Sequence, residues 1–160
     1  MTQPFLYSVE REYPVAIERL WKAWSDASEL EAWYFPVDLS ATKGATTSDL
    51  EVGGLWTCGV EVPEHGFTAY FFGKYTTIVL HKLLEHTLHY TTSVEEFAAR
   101  DFSTESHLIR IEFESRGAHS WSKFSQFGEL PEGQAEMAQA GMNSYLESLA
   151  NHLAFETTKR

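Results

Sequence analysis

The chain has 160 residues, 43% of them hydrophobic, and a formal net charge of −11 at pH 7. This length predicts a single domain, residues 1–160, and the hydrophobic content is sufficient for a packed core. The negative charge argues against binding to nucleic acid or to an anionic membrane surface, because both would repel it.

The first third of the chain predicts one strand followed by two short helices. Residues 5–13 alternate between apolar and polar side chains, as in a half-buried strand. Ser25 or Asp26 can cap the second helix, which ends at Phe35-Pro36. In the first helix, apolar residues recur at helical spacing at Ile17, Leu20, Trp21 and Trp24.

Residues 37–127 are rich in β-branched and aromatic side chains and are interrupted by turn residues, which is typical of an antiparallel meander. The segment 94–104 is charged and lacks periodicity, so we interpret it as a long loop that shapes the mouth of a pocket. The predicted strands are 37–42, 55–62, 67–79, 84–92, 106–115 and 118–127.

The last segment predicts a long amphipathic helix that begins near Pro131 and Glu132. A helix of about 24 residues spans about 36 Å, enough to cross a sheet. Because two short helices cannot cover a seven-stranded antiparallel sheet, the sheet must curl around the long helix. The prediction is therefore an α+β fold. The apolar positions of the long helix are Ala138, Met142, Tyr145, Leu149 and Leu153.

Several short motifs resemble those of one known superfamily. The motif residues are Arg11, Pro14, Leu20, Trp21, Ala23, Trp24, Leu30 and Trp33 in the opening helices, Glu51, Gly53, Gly54 and Trp56 in a glycine turn, and Gly73 and Tyr75. On these residues the chain is similar to the START-like (SRPBCC) proteins of the helix-grip fold, in the branch of the activator of heat-shock-protein ATPase homologues. The terminal Gly-Trp motif of that family is Gly141-Met142 here.

The resemblance implies a helix-grip fold, with a curved antiparallel sheet of seven strands around a long C-terminal helix and two short helices after strand 1. It also implies an apolar cavity between the sheet and that helix. Met142, where the family has a broad Trp, changes the shape and volume of such a cavity. Proteins of this fold carry binding, cyclase and co-chaperone functions, so the fold alone does not decide between them.

Few residues have the spacing of a catalytic or metal site. His86 and His89 would point to opposite faces of a strand, so they cannot join His81 on one ion. His107 and His119 lie on neighbouring predicted strands and can face each other. The sequence contains neither a Gly-x-Ser-x-Gly nucleophile elbow nor a phosphate-binding glycine loop. We therefore expect no metal, no cofactor and no catalytic residue.

Aromatic side chains, 14% of the sequence, are the remaining candidates. They either fill a solid core or line a cavity, and the sequence leaves both possibilities open. Tyr145 lies on the helix stripe that faces the sheet, where its hydroxyl needs a hydrogen-bond partner that a ligand can supply. The candidate cavity residues are Trp33, Phe35, Trp56, Tyr70, Phe72, Tyr90, His107, Ile109, Trp121, Met142 and Tyr145.

These features predict a non-catalytic protein that binds or senses a small hydrophobic or aromatic molecule in an internal cavity. Two alternatives remain: a chaperone-associated protein-binding module, and a cyclase- or dehydratase-type enzyme that uses His107, Tyr145 or Tyr90. No apolar run is long enough to span a membrane, residues 1–7 do not resemble a signal peptide, and the lone Cys58 forms no internal disulfide. We expect a cytoplasmic monomer or homodimer, and the family implies a role in the stress response.

Overall fold

The computed structural model describes residues 3–158, so residues 1–2 and 159–160 of the predicted domain lie outside the described part. Within it, a 3-10 turn at Pro63–His65 joins two of the strands. The elements in chain order are β1 (Phe5–Tyr13), α1 (Ile17–Ser25), α2 (Ala27–Trp33), β2 (Ser40–Ala41), β3 (Thr47–Ser48), β4 (Leu55–Val62), β5 (Phe67–Val79), β6 (Leu83–Thr91), α3 (Val94–Ala99), β7 (His107–Arg116), β8 (His119–Phe127) and α4 (Gln134–Thr158).

One antiparallel sheet forms the body of the molecule. Seven strands follow the order β1-β8-β7-β6-β5-β4-β2, and β3 pairs with β4 beside β2. The sheet curls around α4, and the two short helices follow strand 1. The predicted α+β helix-grip architecture is confirmed. No helix among residues 3–158 is long and apolar enough to cross a membrane.

Two predicted segments differ from the structure. The strand predicted at 37–42 is reduced to β2, because the chain leaving α2 makes a turn in which the Leu39 amide donates to the Pro36 carbonyl. The loop predicted at 94–104 contains α3, which the Ser93 hydroxyl caps by accepting from the Glu96 amide at 3.2 Å. This helix has a single buried residue, Phe97, so it shows no apolar periodicity.

Aromatic packing fixes α1 and α2 against the sheet. The rings of Trp24 and Trp33 meet edge to face, with centroids 4.7 Å apart, and the Trp33 indole donates to the Ala23 carbonyl at 2.7 Å. The Tyr34 ring contacts both Trp33 and Trp56, at 5.2 and 5.4 Å between centroids. This cluster therefore connects the two short helices to β4 through buried apolar area.

The C-terminal helix closes the other side of the core. Its buried side chains are Met142, Leu146, Leu149 and Leu153, together with Ser148. Glu29 of α2 accepts from Arg19 of α1 at 2.9 Å and from His152 of α4 at 2.8 Å. Burial raises the pKa of Glu29, but these two partners outweigh it and lower the pKa overall. The three helices are thus joined at one half-buried carboxylate.

The glycine turn before β4 places different demands on its two glycines. Gly53 has a φ of 86°, in the left-handed region that favours glycine. Gly54 lacks a positive φ, but a Cβ there would lie 2.0 Å from the Asp49 carbonyl oxygen. The turn is tied to β5 because the Gly53 amide donates to the Tyr75 carbonyl and the Tyr75 amide donates to the Gly54 carbonyl.

We predict that Gly54→Ala lowers the free energy of unfolding by about 2–4 kcal/mol, because backbone must move to admit the methyl group. Gly53→Ala, where nothing lies within 4 Å of the added carbon, should cost only about 1 kcal/mol from its backbone conformation. Chemical denaturation of both variants measures the difference. Equal losses would show that close approach at Gly54 is not the constraint.

Candidate ligand-binding groove

A groove of about 1060 Å³, partly open to solvent, lies where β6 and β7 separate. The ladder between these strands ends at the pair Leu88 and His107, and the chain between them passes through α3 and residues 100–106. The first turns of α4 form the opposite wall. The apolar residues that line the groove are Phe71, Phe72, Leu88, Tyr90, Ala99, Leu130, Pro131, Met137 and Ala138.

The groove lies beside the start of α4, where the side chains are small or polar except for the exposed Met137. The helix contributes Gln134, Met137 and Ala138 to the lining, and the Met137 side chain is 73% exposed. From Met142 onward, by contrast, large buried side chains fill the space between helix and sheet. The helix therefore seals one end of the concave face and leaves the other end open.

Three polar side chains form a directed hydrogen-bond chain, of which Gln126 and His107 line the groove and Tyr7 lies behind them. The Tyr7 hydroxyl donates to Gln126 Oε1 at 2.7 Å, and Gln126 Nε2 donates to His107 Nδ1 at 2.7 Å. His107 Nε2 then donates to the Glu129 carbonyl oxygen at 3.1 Å. In this arrangement Nδ1 of His107 accepts one hydrogen bond and Nε2 donates another.

This hydrogen-bond chain requires space beside the His107 ring and a protonated Tyr7 hydroxyl. A Cβ at Gly128 would lie 2.4 Å from the His107 ring, so glycine is needed there. Burial raises the pKa of Tyr7, which keeps its hydroxyl protonated as a donor. Both ring nitrogens of His107 are engaged in hydrogen bonds, so the imidazole is held in one orientation in the groove wall.

Of the predicted cavity residues, the structure brings Phe72, Tyr90 and His107 into the groove lining. Four others, Trp33, Trp56, Ile109 and Met142, are buried in the main core. The remaining predicted residues do not line the groove either. Phe35 is half-buried after α2, Tyr70 stacks on Phe97, Trp121 lies under Arg116, and the Tyr145 ring packs on Tyr34.

Sequence reasoning missed Gln126, the central member of the polar chain. It is paired with Ile109, whose side chain is fully buried, so it occupies an inward-facing position of β8. The inward positions of β8 also include the buried Ser120 and Ser122, so alternation in the sequence does not single out Gln126. Phe71 and Leu88 were missed because their lining role depends on where the β6–β7 ladder ends.

The histidines do not form a metal site. His86 stacks on Trp56 of the main core, and His89 stacks on Phe72 of a second cluster, so the two rings face opposite sides of β6 as predicted. The idea that His107 and His119 face each other is wrong, because they begin successive strands of one hairpin and lie at its opposite ends. Within residues 3–158, no group of three His, Cys, Asp or Glu side chains is placed to hold a metal ion.

Buried hydroxyls and the thiol remain protonated. Burial raises the pKa of Tyr34, of Tyr145 and of the Cys58 thiol. A buried thiol with a raised pKa has little nucleophilic thiolate. Cys58 therefore acts as a core side chain.

The comparison with known families gives one match. The model of the family described as Activator of Hsp90 ATPase homolog 1-like protein matches residues 14–154. No curated protein sequence matches the chain.

Solved structures share the fold over nearly the whole chain. A crystal structure of the AHSA1 protein from Silicibacter pomeroyi has a TM-score of 0.77 at 20% identity and covers 94% of this chain and 98% of that one. A protein from Chromobacterium violaceum has a TM-score of 0.74 at 18% identity, with coverage of 91% and 94%. A protein from Arthrobacter aurescens has a TM-score of 0.74 at 23% identity, with coverage of 92% and 84%.

His86 should make the fold sensitive to acid. Burial lowers its pKa from 6.5 to about 4, whereas its Nδ1 contact with the Thr87 carbonyl acts in the opposite direction. Between these values the unfolded chain binds more protons than the folded one, so stability is lost as the pH falls. We expect this group to remove about 3 kcal/mol of unfolding free energy between pH 6.5 and 4.

The control for that prediction is His86→Phe, which keeps a flat ring on Trp56 and cannot titrate. Denaturation curves of both proteins across this pH range isolate the contribution, because every other titrating group is shared. The difference in stability between the two should change with pH by the stated amount. Parallel pH profiles would contradict the assignment.

Trp56 and Trp121 provide a matched pair for core packing. Trp56 is 2% exposed and stacks on His86, with centroids 4.3 Å apart, whereas Trp121 is half-buried on the opposite face. We expect Trp56→Ala to cost about 3–5 kcal/mol of unfolding free energy. Trp121→Ala should cost about 1 kcal/mol in the same denaturation experiment. A small loss at Trp56 would mean that its ring lines open space.

Proposed function

The chain belongs to the Activator of Hsp90 ATPase homolog 1-like family, and from this membership and the groove we propose that it binds or senses a small hydrophobic or aromatic molecule without transforming it. The observation that carries the proposal is the half-enclosed groove of about 1060 Å³ with an apolar floor. Small-molecule sites are typically concave and mostly apolar, with a few placed polar groups. Gln126 and His107, which line the groove, are such polar groups.

The size of the apolar wall is consistent with weak affinity. A ligand the size of a naphthalene ring that buries about 200 Å² of apolar area gains about 5 kcal/mol before association costs. That gain alone corresponds to a dissociation constant of about 0.2 mM, and association costs weaken it, so dissociation constants in the millimolar range are expected.

The chemistry of the lining supports binding over catalysis. A cyclase- or dehydratase-type reaction needs at least two convergent groups that can exchange protons. Of the three candidates for such roles, His107 and Tyr90 line the groove and Tyr145 packs on Tyr34. Both nitrogens of His107 are already engaged in hydrogen bonds.

A second candidate function follows from the family description, which names the Hsp90 ATPase. A chaperone-associated module would bind its partner through an exposed surface and not through the groove. Retention on immobilised Hsp90, compared with a blank column, tests it. We further propose a cytoplasmic location and a role in the stress response, which localisation in cells and survival of a deletion strain under heat would test.

The groove is tested by calorimetric titration with neutral aromatic alcohols, such as 2-(1-naphthyl)ethanol. We predict that Tyr90→Ala weakens binding at least about threefold while the melting temperature changes little, because Tyr90 lines the groove and is 57% exposed.

Leu80→Ala is the matched control, since Leu80 is 64% exposed and lies in the turn between β5 and β6, outside the groove lining. It should leave the dissociation constant unchanged. If no alcohol in a panel of graded size binds up to its solubility limit, the proposed function is wrong.

A further inference from the structure

The charged residues that line the groove are all acidic. Glu96, Asp101, Glu105 and Glu129 belong to the lining, and the part of the lining that the structure describes contains no lysine or arginine. Asp101 is held in its charged form, because hydrogen bonds from the Ser103 hydroxyl and amide lower its pKa. The negative groups come from two elements that meet at the groove, the segment between β6 and β7 and the segment between β8 and α4.

The nearest basic side chains along the chain are engaged elsewhere. The Arg100 guanidinium lies 4.2 Å from the Phe97 ring centroid and donates to the Phe97 carbonyl. The Lys74 ammonium lies 4.4 Å from the Phe102 ring centroid. Both cations thus pack on aromatic rings outside the groove lining, and neither ring-bound cation belongs to the groove.

The groove combines aromatic rings with the four carboxylates of Glu96, Asp101, Glu105 and Glu129, here called the carboxylate rim. Phe71 and Tyr90 line it with rings that are not fully buried, and an organic cation that buries its apolar part against them would place its charge near the carboxylates. An anionic ligand such as a fatty acid would meet four carboxylates and no counter-charge in the lining. Because the carboxylates are partly exposed and not arranged as a metal site, a compact metal ion is a poor match.

We propose that the groove selects amphipathic organic cations, meaning hydrophobic amines or quaternary ammonium compounds with an aromatic or aliphatic body. This inference rests on the proposed function and specifies the ligand class for the same groove. The apolar floor provides most of the affinity, and the carboxylate rim provides the discrimination by charge.

Three probes of similar shape separate the contribution of ligand charge from that of apolar contact. They are 2-(1-naphthyl)ethylamine, 2-(1-naphthyl)ethanol and 1-naphthylacetate, each titrated calorimetrically into the full chain at neutral pH. We expect the amine to bind about tenfold more tightly than the alcohol and the acid to bind more weakly than the alcohol. Added salt should reduce the difference between amine and alcohol, since the rim is exposed to solvent.

A double variant tests whether the preference for the amine arises from the carboxylates of the groove. Glu105→Gln with Glu129→Gln removes two charges from the rim while keeping side-chain size, and it should reduce the preference for the amine at least about threefold with no change for the alcohol. The control, Glu18→Gln with Glu51→Gln, removes two exposed charges outside the groove lining and should keep the preference.

Equal affinities for amine and alcohol would overturn the inference and leave the proposed function standing. An equal loss of preference in both double variants would also overturn it, because the net charge of the chain would then explain the selectivity. Failure of all three probes to bind would remove the proposed function and the inference together.

Discussion

The structure depends on one constraint: a single long helix has to cover the concave face of a curled sheet. From Met142 to Leu153 the helix carries large apolar side chains that pack fully against the sheet. Before Met142 it carries Gln134, Ala138 and the exposed Met137, which do not fill the space beneath them. The change from tight packing to open groove therefore occurs within one helix, and it follows from side-chain volume.

The remaining elements can be understood as consequences of that geometry. Aromatic packing of Trp24, Trp33 and Tyr34 closes the sealed end, where α1 packs against β7 and β8 and Tyr34 contacts Trp56 of β4. At the open end, the strands β6 and β7 separate after the pair Leu88 and His107, and α3 with its following loop forms the rim. Tight packing is thus concentrated at one end of the molecule, and the groove for which we propose ligand binding lies at the other.

Much of the fold could be predicted from the sequence, because the signals are local. Helical periodicity predicted α1 and α4, and the glycine turn and tryptophans identified the superfamily. The short helix α3 escaped prediction, since Phe97 alone is buried in it. The groove was only partly predictable: Phe72, Tyr90 and His107 were among the candidates, whereas Trp33 and Trp56 lie in solid core. An aromatic ring in a core and one in a cavity wall give the same sequence pattern. Which rings line the groove depends on where the pairing of β6 and β7 ends in three dimensions.

The central claim is that the open end of the concave face takes up a small hydrophobic molecule. A two-dimensional amide NMR titration with 2-(1-naphthyl)ethanol tests this claim most directly, because it reports where the molecule binds. The account predicts that shifts concentrate on Leu88, His107, Gln126, Leu130 and Met137, which line the groove, while the amides around Trp24 and Trp33 stay unchanged. Shifts confined to the sealed end, or spread evenly over the surface, would contradict it.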